Sequence, residues 1–96
     1  MKDIYTLKEV EELQAAEAVE IVKRGIRTGL EFKLVRKMAG FKATEIASLL
    51  NVTAETVSRW ESGASTLPLM AAFSLAELYE RPVVVRRKLE ALAVPA

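Results

Sequence analysis

Apolar residues recur along this chain at intervals of three and four, the spacing of α-helices that bury one face. Leu7, Val10 and Leu13 mark one stripe; Ala15, Val19, Val22 and Ile26 mark another. Together they predict a first helix that runs to about Arg24 and stops at Gly25. Its start is well signalled. Thr6 is placed to cap the N–H of Glu9 while Glu9 reaches back, and Tyr5 and Val10 hold the two positions of a hydrophobic staple. The spacing repeats at Thr28-Gly29-Leu30-Glu31, which opens a second helix ending near Ala39, with Gly40 as its C-cap. There Leu30, Leu34, Val35 and Met38 are expected to face the core. Phe41 plugs the connection, and Lys33, Arg36 and Lys37 fall on the outer side.

Residues 43–62 carry the densest pattern. Ile46, Ala47, Leu49 and Leu50 share one side of a short helix, and Thr44 and Ser48 face away. Asn51 follows where the chain must reverse; it tolerates a positive φ better than most residues. Val52 buries the turn, and Thr53 reads as an N-cap. On the next helix Val57 and Trp60 point inward, Trp60 against the preceding helix and the Phe73 helix. Glu55, Ser58, Arg59 and Ser62 point outward. Two apolar anchors beneath a carboxylate, a guanidinium and hydroxyls make a contact surface, the pattern of a helix-turn-helix.

Beyond Gly63, Pro68 suits a first helical position. Leu69, Met70, Phe73, Ala76 and Leu78 are expected to form the buried face that follows, with Met70 and Phe73 as core filler. Pro82 opens a last helix through Leu89 and Leu92. The Val83-Val84-Val85 run favours strand, but its flanks are helical and no partner strand is evident. The chain therefore reads as all-α.

Ninety-six residues make one domain with a modest core. No apolar run approaches the ~18 residues of a membrane span, and the N-terminus lacks the order of a signal peptide, so a cytoplasmic protein is expected. Without cysteine or histidine, the usual metal ligands and the commonest general base are missing. No metal, cofactor or enzymatic activity is expected. Net charge is only +1, but its distribution is uneven. Lys2 and Lys8 stand against Asp3, Glu9, Glu11, Glu12, Glu17 and Glu20, so residues 1–22 carry −4. Lys23, Arg24, Arg27, Lys33, Arg36, Lys37 and Lys42 stand against Glu31 alone, so residues 23–42 carry +6. A basic block beside a recognition helix suits the phosphate contacts that provide most affinity for DNA.

The spacing of Ala47, Asn51 and Val57, closed by Ser58-Arg59-Trp60-Glu61-Ser62-Gly63, resembles the helix-turn-helix of the Xre/Cro repressor family. That resemblance implies a compact five-helix, lambda-repressor-like bundle, here with an added N-terminal helix. Residues 1–28 would be the N-terminal helix and connection, 29–80 the core and 81–96 the C-terminal helix. Gly29 to Lys37 further resembles the start of the C-terminal DNA-binding domain of MqsA-type (YgiT-type) antitoxins. In that family this domain dimerises and represses its own operon, while a Cys-rich zinc module helps to contact the toxin. This chain has no cysteine for such a module. It also has Lys42-Ala43 where the Xre/Cro family often has Thr-Gln, and Asn51 where Gly is usual.

The resulting expectation is a dimeric, DNA-binding transcriptional repressor, an autoregulating antitoxin-type regulator on a palindromic operator, with the helix after Thr53 in the major groove of double-stranded DNA. Ala54, Glu55, Ser58 and Arg59 are the base-contact candidates: Arg59 suits guanine O6 and N7, and Glu55 suits cytosine N4. Lys33, Arg36, Lys37, Lys42, Thr44, Thr53 and Thr56 are the phosphate-contact candidates. Glu61 more naturally braces the fold. Against this stands a protein-interaction module, an antitoxin or adaptor that uses its acidic first helix to hold a partner such as a cognate toxin. The homodimer interface is assigned to residues 83–92 first and the N-terminal helix second.

Overall fold

The computed structural model describes residues 6–92, and among these every regular element is helical: α1 (Leu7–Arg24), α2 (Gly29–Met38), α3 (Ala43–Leu49), α4 (Ala54–Ser62), α5 (Leu69–Glu80) and α6 (Pro82–Leu92). The helix starts follow local chemistry. Thr6, Thr28 and Thr53 each accept the N–H three residues on, from Glu9, Glu31 and Thr56, and so satisfy a donor that the first turn leaves open. At α2 the capping box is complete, since Glu31 Oε1 also accepts the Thr28 N–H at 3.3 Å. Pro68 precedes α5 as its N-cap, one place earlier than expected, and its carbonyl accepts from Ala72 at 3.1 Å. The staple of Tyr5 on Val10 involves a residue outside the described ones.

The core lies where α2, α3, α4 and α5 converge. Phe32 and Val35 from α2, Ile46 from α3, Val57 from α4, and Leu75 and Leu78 from α5 are fully buried. Phe32 meets Trp60 edge to face, with ring centroids 6.0 Å apart. α2 packs on α1, α4 and α5, whereas α6 lies against α5 and α3. Val83 to Val85 are helical, as their flanks imply, because the strand preference of β-branched residues yields where no strand partner exists.

Three expected apolar faces differ. In α2, Phe32 takes the core place and Leu30 is 74% exposed. Residues two positions apart in a helix stand about 200° around its axis, so burying one turns the other out. In α5, Leu69, Met70 and Phe73 are exposed, while Ala71, Ala72, Leu75 and Leu78 are buried. This helix is apolar nearly all round, so periodicity alone does not fix its phase. The side with two alanines faces inward, where a neighbour can approach closely. Trp60 lies inward against Phe32 of α2 and beside Leu49 of α3 and Ala71 of α5, while Phe73 itself is exposed. In α1 only Ala18, Ile21 and Val22 are buried. Leu7, Val10, Leu13, Ala15 and Val19 remain exposed, because α1 meets α2 only near its C-terminal end.

Candidate nucleic-acid interface

The junction of α3 and α4 is a tight corner. Asn51 has φ 57°, in the left-handed region that its side chain tolerates better than most. The Asn51 and Val52 N–H groups donate back to the carbonyls of Ser48 and Ala47 at 3.2 and 2.9 Å. These bonds satisfy the end of α3 and turn the chain into Thr53. Val57 is fully buried and Trp60 is 7% exposed, so the phase of α4 agrees with the sequence pattern. Ala54, Glu55, Ser58, Arg59 and Ser62 are all exposed.

These outward residues are not equally available. Arg59 Nε donates to Ser65 Oγ at 3.1 Å. Its partner is the following loop rather than Glu55. Ser62 Oγ donates to the Arg59 carbonyl and accepts the Ala64 N–H, both at 3.3 Å, so it closes the helix end. The Thr53 and Thr56 hydroxyls lie 2.8 Å apart. One hydroxyl hydrogen serves that bond, and the other remains to donate outward.

Lys33 and Lys37 are exposed on α2, and Lys42 and Thr44 are exposed at the start of α3. The Lys42 backbone N–H donates to Glu45 Oε1 at 2.9 Å, which fixes that start. The helices α2 and α3, which carry or adjoin these side chains, both pack on α4.

Arg36 does not join them. The expected phosphate contact is turned inward, because it follows Phe32 by four residues and Val35 by one and so shares their buried face. Its Nε and Nη2 grip the two oxygens of Glu61 at 2.7 and 3.0 Å, and Nη1 donates to the Phe41 carbonyl at 3.0 Å. Both side chains of the pair are 9% exposed. Glu61 thus braces the fold, as its position implied. One guanidinium ties the last turn of α4 to α2 and to the connection before α3, and so sets the angle of the helix that carries Glu55, Ser58 and Arg59.

A cation outside the expected set appears on α6. The Arg86 guanidinium lies 5.2 Å from the centroid of the Phe41 ring and 3.6 Å from Glu45, beside Thr44 and Ser48. The basic triplet Arg86-Arg87-Lys88 was the available signal, but only the fold brings it to α3. Elsewhere, Glu31 receives Arg24 and the Arg27 and Thr28 N–H groups. The Arg24 hydrogen bond above all, with those N–H groups, holds the Glu31 carboxyl below the usual glutamate range. No described helix is long and apolar enough to cross a membrane.

Residues 27–95 match the family described as "Helix-turn-helix domain", a span that takes in α2 to α6. Over 56 residues the chain is 32% identical to the Pyrococcus horikoshii protein named "Putative HTH-type transcriptional regulatory protein PH1808". That alignment covers 58% of this chain but 18% of the relative. No solved structure matches at a significant level.

Proposed function

As this chain belongs to the helix-turn-helix domain family, we propose that it is a sequence-specific transcriptional repressor that binds a palindromic operator as a homodimer. The observation that carries this reading is the outward face of α4. Ala54, Glu55, Ser58 and Arg59 stand exposed there above buried Val57 and Trp60. The regulatory name of the Pyrococcus relative supports it. In this reading α4 enters the major groove, Arg59 donates to guanine O6 and N7, and Glu55 accepts from cytosine N4. Lys33, Lys37, Lys42, Thr44 and the remaining hydroxyl hydrogen of the Thr53–Thr56 pair hold phosphates. A two-fold pair presents two such helices to half-sites about 34 Å apart.

The second reading is an autoregulating antitoxin, or another adaptor, that also holds a partner protein. The exposed acidic side chains of α1 favour it. A small toxin-like reading frame beside this gene, whose product co-purifies with this chain, would support the addition.

The test compares Arg59→Ala with Lys37→Ala on operator and scrambled duplex over a range of salt. Arg59→Ala should cost about 1–3 kcal/mol on the operator and much less on scrambled DNA. Lys37→Ala should weaken both alike and reduce the salt slope by about one per copy bound. Equal losses from Arg59→Ala on both duplexes would make Arg59 a phosphate clamp. If neither variant changes binding, the DNA reading falls.

A further inference from the structure

Among the described residues, no side chain in the first half of α1 is buried. Residues 7–17 are about 16 Å of helix, and nearly all are exposed, including Leu7, Val10 and Leu13. The long dimension of the described chain is 58 Å against 30 and 22 Å, consistent with an arm that projects. The arm also lies outside the span that matches the family. Helical spacing sets Leu7, Val10 and Leu13 along one stripe, with Glu11 at one edge and Glu17 at its far end. Helical segments this short hold poorly in water without packing.

The outer face of α6 is apolar and mainly basic, with Glu90 one turn beyond Arg87. None of its residues is fully buried, and Val83 and Val84 are 64% and 54% exposed. Arg87 and Lys88 lie on either side of Val84 at helical spacing, and both are exposed. Arg86 contacts Phe41 and Glu45 and lies beside Val83 and Arg87.

From this complementarity we propose that two copies of the chain associate by laying the first half of α1 of each copy on the outer face of α6 of the other. The contact is made twice about a two-fold axis. Leu7, Val10 and Leu13 cover Val83 and Val84, and Glu11 and Glu17 meet Arg87 and Lys88. Like pairings are disfavoured by the same charges. Two α6 faces would set Arg87 and Lys88 against their own copies. Two α1 helices would bring the acidic arms to a basic end already engaged, since Lys23 lies 3.5 Å from Glu20 and Arg24 pairs with Glu31. The inference deepens the dimer of the proposed function and names its surfaces. It is measured without DNA, so its failure leaves the DNA reading standing.

The experiment is sedimentation of the whole chain and two charge-reversed variants, each checked for parent-like helical content. One is Glu11→Lys with Glu17→Lys; the other is Arg87→Glu with Lys88→Glu. The parent should dimerise. Each variant alone should lose at least about tenfold in self-association, because both of its contacts become like-charged. An equimolar mixture should recover a heterodimer, in which both contacts are again opposite in sign. A monomeric parent overturns the proposal. So does parent-like dimerisation of the α1 variant, which would leave α6 pairing with itself, or a mixture of folded variants that fails to associate.

Discussion

Removing Arg36 should unfold much of what holds α4 in place. The guanidinium makes three hydrogen bonds, two to Glu61 at 2.7 and 3.0 Å and one to the Phe41 carbonyl at 3.0 Å. It does so with both charged side chains 9% exposed. Arg36→Met deletes one charge and strands the other in a site with little water. Breaking such a buried pair from one side costs about 3–5 kcal/mol. At roughly 4–8 °C per kcal/mol for a domain of this size, Tm should fall by at least ~12 °C. Against a typical total stability of about 5–15 kcal/mol, the variant would be marginal. The partner experiment separates pairing from packing. Glu61→Leu should cost a similar amount, but Arg36→Met with Glu61→Leu strands no charge and should melt closer to the parent than either single variant. Thermal and urea unfolding followed by circular dichroism give both numbers. A parent-like melt for Arg36→Met, or strictly additive losses in the double variant, would refute the clamp.

At Gly29, an alanine would ordinarily favour a helix by up to about 1 kcal/mol. Here its Cβ would lie 1.8 Å from the Trp60 carbonyl oxygen, a backbone atom. Gly29→Ala should therefore destabilise, by about 1–3 kcal/mol in urea unfolding, and a stabilised variant would deny the close approach of α2 to α4. Glu31 supplies a pH dependence. Its carboxyl is held below the ordinary value of 4.5, first by Arg24, so the stability it contributes is present above that value and lost as pH falls through the depressed one. Urea midpoints should decline below pH 4.5 in the parent and decline less in Glu31→Gln, whereas parallel profiles would exclude Glu31 as a source.

The parts legible in the sequence are those fixed by neighbours in the chain. Thr6, Thr28 and Thr53 cap because a hydroxyl lies three residues before an open N–H. Asn51 turns the corner, and Val57 and Trp60 face inward with only polar positions opposite to choose from. Where both faces of a helix are apolar, the pattern carries no phase. Leu69, Met70 and Phe73 are as hydrophobic as the residues that displace them, and the choice falls to which side lets a neighbour come close. Arg36 shows a different limit. Its charge suggests solvent, and only the distant Glu61 makes its burial tolerable, 25 residues along the chain. The Arg86 contacts with Phe41 and Glu45 are likewise set by tertiary packing.

The inward turn of Arg36 changes how DNA affinity must arise. In the proposed reading the outward face of α4 is nearly neutral, since Glu55 opposes Arg59, so it would select sequence more than attract a polyanion. Among the expected phosphate-contact residues, the cations left outside are Lys33, Lys37 and Lys42. Each neutralised phosphate contributes about −0.9 to the slope of log affinity against log salt. One copy would then give a slope of roughly −3, and a two-fold pair roughly −5. The shallower value is too little charge to hold a single copy firmly at physiological salt, and this is the electrostatic reason to expect paired copies on an operator. The measurement is a set of titrations of operator duplex at several salt concentrations, with the stoichiometry fixed independently. Lys37→Ala should flatten the slope by about one per copy bound, whereas Arg36→Met, assayed where it remains folded, should leave it unchanged. A slope that responds to Arg36 as strongly as to Lys37 would place the guanidinium on phosphate and contradict its burial against Glu61.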